Sequence, residues 1–90
     1  MYDKERLVGL NVPNLSDLSM VVHGREDRVI SERICIDGYW EPFETKILVS
    51  SLKNGHSFLD IGANIGYFTI LAAKIVGERG FVYSFEPEPV

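Results

Sequence analysis

The run Ser57-Phe58-Leu59-Asp60-Ile61-Gly62-Ala63-Asn64-Ile65-Gly66-Tyr67-Phe68-Thr69 changes its hydrophobic period twice. Residues 57–61 are short, mostly apolar and free of breakers, which predicts a strand. Residues 62–66 form a glycine-containing turn. Residues 67–76 are almost wholly apolar at a length that favours a helix. Gly77-Glu78-Arg79-Gly80 is a turn with a glycine at each end, and Phe81-Val82-Tyr83-Ser84-Phe85 is a second strand, closed by Glu86-Pro87-Glu88-Pro89. Strand, helix and strand in about thirty residues make a βαβ unit with two parallel strands, hence an α/β fold. A helix this apolar is expected to be covered on most sides, as helices on a parallel sheet are.

The turn carries the chemistry. Gly62 is expected where a Cβ would clash, and Gly66 where helix and strand approach closely. Asn64 tolerates the left-handed region. Backbone N–H groups of the turn and the first helical turn have no intrahelical partners and are expected to face the crevice at the carboxyl end of the strands. Asp60 puts a carboxylate at the end of a strand, where a lone buried charge needs partners. Glu86 follows Gly66 by 20 residues, at the end of the second strand. An acid at about that offset accepts hydrogen bonds from ribose hydroxyls. Two carboxylates bracketing a neutral turn suit a cationic nucleoside better than a pyrophosphate. A dinucleotide site would prefer GxGxxG spacing; here the two glycines stand four apart. The competing view is a βαβ unit whose glycines serve packing alone.

Upstream, residues 27–55 read as two helices. Asp27 is a candidate cap for the first, which carries Val29, Ile30 and Ile34 and ends at Asp37-Gly38. Pro42 suits the first turn of the second, and Ile47, Leu48, Ser51 and Leu52 follow at helical spacing as its expected buried stripe. Asn54-Gly55 is its stop. Trp40 with Tyr39 reads as an aromatic anchor for this helix. Residues 1–26 are the least legible: 11–19 carry loop chemistry, and 18–23 resemble a short strand ending at Gly24.

Composition bounds the rest. Ninety residues suffice for one small domain. A net charge of −4, with scattered basic residues, argues against a nucleic-acid-binding module. The one cysteine, Cys35, allows no internal disulfide, and no Cys/His spacing suggests zinc. His23 and His56 stand alone and read as surface residues. No segment approaches the ~20 apolar residues that span a bilayer, and the start lacks a signal peptide's basic and apolar regions. The expected home is a reducing cytoplasm.

The segments Phe58-Leu59-Asp60-Ile61-Gly62-Ala63-Asn64-Ile65-Gly66-Tyr67-Phe68-Thr69, Val76-Gly77, Gly80, Val82 and Phe85-Glu86-Pro87 resemble the opening of the FkbM-type methyltransferases. Asp27-Arg28-Val29-Ile30 and Gly38-Tyr39-Trp40-Glu41 resemble that family's lead-in, so the likeness covers roughly residues 25–90. It implies a Rossmann-like class I methyltransferase fold, with only the first βαβ unit and upstream helices present, and S-adenosylmethionine as cofactor. It assigns Asp60, Gly62, Ala63, Asn64 and Gly66 to the methionine and ribose side of that cofactor. Tyr67 and Phe68 would wall the same pocket, Glu86 would hold the ribose hydroxyls, and Pro87 would fix the departing chain. Glu41, Glu44 and Thr45 are candidates to approach from the upstream helix. The implied reaction is methyl transfer to a hydroxyl of a small molecule or sugar. No acceptor pocket or base is legible. The organisation expected is an extension (1–26), lead-in helices (27–55) and an incomplete βαβ unit (56–90), a fragment unstable and catalytically silent alone. The alternative function is a non-catalytic module that holds a nucleoside cofactor.

Overall fold

The computed structural model describes residues 5–23, 28–63 and 66–86. Among these, four strands and three helices follow one another as β1 (Glu5–Gly9), β2 (Ser19–His23), α1 (Arg28–Asp37), α2 (Pro42–Ser51), β3 (Ser57–Ile61), α3 (Tyr67–Val76) and β4 (Phe81–Phe85). The strands make two separate two-stranded sheets, so the chain is a small mixed α/β domain.

The β3–α3–β4 unit matches the sequence expectation in its elements and in the parallel sense of its strands, with Asp60 opposite Ser84 and Ile61 opposite Phe85. Asp27, Asn64, Ile65 and Pro87, each singled out from the sequence, lie outside the described residues. The N-terminal region is more ordered than its sequence suggests. β1 pairs antiparallel with β2, Val8 opposite Met20 and Arg6 opposite Val22. Side chains alternate across this ribbon, so Met20 and Val22 point inward and Val21 outward.

One core joins the ribbon to the helices. Val12, Met20, Val22, Ile34, Tyr67 and Leu71 are buried together, with Trp40, Tyr39 and Leu48 packed around them. α3 therefore lies between the β3–β4 sheet and the ribbon with α1. Its Tyr67, Leu71, Ala72 and Val76 are buried at helical spacing. The Gly38 N–H bonds Ile34 C=O (2.8 Å), closing α1, and Gly38 C=O accepts from Asn11 N–H (2.8 Å), tying the long loop between β1 and β2 to that helix end.

Two packing expectations are corrected, and the sheet shows an open face. The buried side of α2 is Thr45 with half-buried Leu48, Val49 and Leu52, whereas Ile47 and Ser51 are exposed. The helix rotates to bury Thr45 because a hydrogen-bond partner awaits it in the core. Gly66 meets no close neighbour; Gly80 is the glycine of close approach, since a Cβ there would overlap Val76 and come within 2.5 Å of the His56 carbonyl. The strands of the parallel sheet are covered on one face only. Phe58, Asp60 and Val82 turn toward α3, while Leu59, Ile61, Phe81, Tyr83 and Phe85 form an open face.

Candidate functional site

The elbow between β3 and α3 is built from two left-handed glycines. Gly62 has φ +76° and Gly66 φ +89°, a region that side chains with a Cβ rarely enter. Among the described residues, a Cβ at either position would meet nothing within 4 Å. No described residue supplies the clash expected at Gly62; its glycine answers to backbone conformation. Gly66 caps α3, its C=O accepting from Ile70 N–H (3.0 Å), and its own N–H returns to Ala63 C=O (2.9 Å).

The elbow is fastened to the end of β4. Phe85 C=O accepts from both Gly62 N–H (2.7 Å) and Ala63 N–H (3.0 Å). Those two N–H groups, expected to face the crevice, are committed to the neighbouring strand instead. The donors with no intrahelical partner are therefore those of the first turn of α3, after Gly66. The same bridge holds half-buried Glu86, the next residue, beside the turn.

Asp60 is half-buried on the helix-facing side of β3. Thr69, in the first turn of α3, donates to Asp60 Oδ2 (2.7 Å), and its hydroxyl also lies 3.0 Å from Ser84 Oγ. The only hydrogen on Thr69 Oγ1 goes to the carboxylate, so Ser84 donates to Thr69. A charge-assisted bond of this kind fixes the carboxylate's orientation. Thr69 stands in the motif quoted above, yet its hydrogen-bonding role becomes visible only once the helix is placed over the strand.

Tyr67 is 2% exposed, its ring within the core, and Phe68 packs edge-on against it at 5.0 Å between ring centroids. The Tyr67 hydroxyl lies 2.9 Å from Thr45 Oγ1, which itself donates to Trp40 C=O (2.6 Å). Thr45 has one hydrogen to give and gives it to Trp40, so Tyr67 is the donor to Thr45. Of the three candidates on the upstream helix, Thr45 is tied to the start of α3; Glu44 is exposed, and Glu41 is a left-handed N-cap of α2 (φ 49°). Trp40 and Tyr39 are half-buried against the core, as an anchor would be. His56 is exposed, its Nδ1 accepting from Lys53 N–H (3.1 Å).

Among the described residues no group of three or more His, Cys, Asp or Glu could hold a metal ion, and no helix is long and apolar enough to cross a membrane. Compared with protein-family models, with curated proteins and with solved structures, the chain matches none.

Proposed function

We propose that the elbow and its two acids hold S-adenosylmethionine, and that the chain carries the cofactor-binding part of a methyltransferase of Rossmann-like, class I type. The observation that carries the reading is the bridge from Phe85 C=O to Gly62 and Ala63 N–H, because it brings the end of β4, with Glu86, against the turn that follows Asp60. Both carboxylates are half-buried, and no described residue comes within 4 Å of a Cβ placed on Gly62 or Gly66. Two partly desolvated negative groups attract a sulfonium nucleoside and repel a pyrophosphate. The residues present fit the cofactor on these grounds.

In this reading Asp60, Gly62, Ala63 and Gly66 serve the methionine and ribose side of the cofactor, as the motif also assigns to Asn64, and Glu86 accepts from the ribose hydroxyls. Tyr67 acts from behind, holding the start of α3 through Thr45, with Phe68 beside it. S-adenosylmethionine supplies a methyl group on a good leaving group, so the protein's task is orientation. The acceptor is a hydroxyl of a small molecule or sugar, and the setting is a reducing cytoplasm, which suits a single free cysteine.

Isothermal titration of the full chain with S-adenosylhomocysteine and with NAD tests this. The thioether should bind and NAD should not. Asp60→Ala and Glu86→Ala should each weaken thioether binding at least tenfold; NAD binding alone, or unchanged affinity in both variants, overturns the reading.

A further inference from the structure

A groove of about 880 Å³ lies between the turn that follows β1 and one side of α2, and it reaches the last turn of α3. Its volume falls within the range of small-molecule sites, about 300–1,000 Å³. The α2 residues that line it, among them Lys46 and Val49, recur at helical spacing on one side of the helix. Val12, Tyr39 and Ile75 complete an apolar bed. Val12 is buried, while Tyr39 and Val49 are half-buried, so the floor of the groove is anchored in the core.

Its charge runs against that of the molecule. The chain has 13 acidic and 9 basic residues. The groove nevertheless has two lysines, Lys46 from α2 and Lys74 from α3, and no acidic residue among the described residues that line it. Neither lysine is paired with a carboxylate among the described residues. Two ammonium groups beside an apolar bed attract an anion that brings its own apolar body. The groove is also distinct from the elbow. Lys74 stands eight residues beyond Gly66 along α3, about 12 Å at helical rise.

We propose that this groove is a binding site for a small amphipathic carboxylate, its apolar chain against Val12, Tyr39, Val49 and Ile75 and its carboxylate between Lys46 and Lys74. The apolar bed supplies most of the affinity, and the lysines select the charged head. The site does not depend on the cofactor reading and stands or falls separately from it.

The test uses the full chain, amide-resolved NMR and three probes: octanoate, octan-1-ol and acetate. Octanoate should shift the amide signals of Val12, Tyr39 and Val49. Octan-1-ol should bind at least tenfold more weakly, and acetate should leave the spectrum unchanged. Lys46→Gln with Lys74→Gln replaces two exposed side chains and leaves the core intact. It should weaken octanoate at least fivefold while leaving octan-1-ol binding unchanged, and raising the salt concentration should reproduce the loss. Equal binding of octanoate and octan-1-ol overturns the proposal. So do octanoate shifts confined to Leu59, Ile61, Tyr83 and Phe85 on the open sheet face, or a double variant that binds octanoate as tightly as the parent.

Discussion

Replacing Thr45 by Val should cost more stability than replacing Tyr67 by Phe, although Tyr67 is the larger and more deeply buried residue. The reason is the direction of the hydrogen bonds. Thr45 Oγ1 donates to Trp40 C=O at 2.6 Å and accepts from Tyr67 O–H at 2.9 Å. Tyr67→Phe removes one donor and leaves Thr45 still bonded to Trp40, so the expected loss is that of one net hydrogen bond, about 1 kcal/mol. Thr45→Val keeps the shape but strands both the Tyr67 hydroxyl and the Trp40 carbonyl. An unsatisfied buried group costs about 1–3 kcal/mol. The Tyr67–Thr45 bond is buried and the Thr45–Trp40 bond only partly so, leaving water some access to the carbonyl. The total expected is therefore about 2–3 kcal/mol. In the double variant the stranded hydroxyl no longer exists, so its cost should fall below the sum of the singles by about 1–2 kcal/mol. Thr45→Ser keeps both bonds and should lose only a methyl's burial, about 1 kcal/mol. Urea unfolding followed by circular dichroism measures all four, as shifts in midpoint at constant slope. Strict additivity, or a greater loss in Tyr67→Phe than in Thr45→Val, refutes the reasoning.

Other substitutions sort the glycines and charges by mechanism. Gly80→Ala should destabilise by about 2–3 kcal/mol, because the new Cβ has only Val76 and a backbone carbonyl to displace; a midpoint within error of the parent would show the turn yielding freely. Gly62→Ala should cost about 1–2 kcal/mol from its left-handed φ alone, with no clash among the described residues, and it should also weaken S-adenosylhomocysteine in a titration, since the methyl enters the proposed cofactor site. Thr69→Val should weaken the same ligand several-fold by releasing Asp60, while Thr69→Ser should restore most of the affinity. Arg33→Ala removes the exposed Arg33–Asp37 pair on α1, 2.8 Å apart, and should move stability by no more than about 0.5 kcal/mol; a loss several times larger would mean that the pair does more than its exposure suggests.

Legibility followed the physics of each segment. The β3–α3–β4 unit could be read from sequence because glycines punctuate it and its period changes at each boundary, so local signals and tertiary fold agree. β1 could not. Glu5 and Arg6 open it, and residues 10–18 separate it from β2, so its pairing with β2 rests on contacts between residues distant in sequence. The inward side of α2 is hidden from an apolar period because Thr45 counts as polar in any such stripe. Its burial is permitted only by Tyr67 and Trp40, which no helical period can reveal. Site residues divide in the same way. Asp60, Gly62, Gly66 and Glu86 are visible as residue types at offsets. The Phe85 carbonyl that ties Gly62 and Ala63 to the end of β4 belongs to the backbone and leaves no mark in the sequence.

The open face of the β3–β4 sheet extends that reasoning to a measurable consequence. Parallel strands normally lie beneath cover on both sides. Here α3 covers one side, while Leu59, Ile61, Phe81, Tyr83 and Phe85 stand at least half exposed on the other, with Ile61 at 75%. Phe81 and Tyr83 stack on each other at 6.4 Å, which shields them little from water. An exposed contiguous apolar surface of this kind drives association, so the 90-residue chain should self-associate increasingly as its concentration rises. Ile61→Thr with Phe85→Ser should raise its solubility and cost little stability, because neither side chain is packed. Were the face buried in the folded chain, the same pair would cost several kcal/mol, since each large apolar side chain removed from a core costs about 2–5 kcal/mol. Light scattering and urea unfolding of the parent and the double variant separate the two cases. A monodisperse parent, or a double variant destabilised on the core scale, would show that the face is covered.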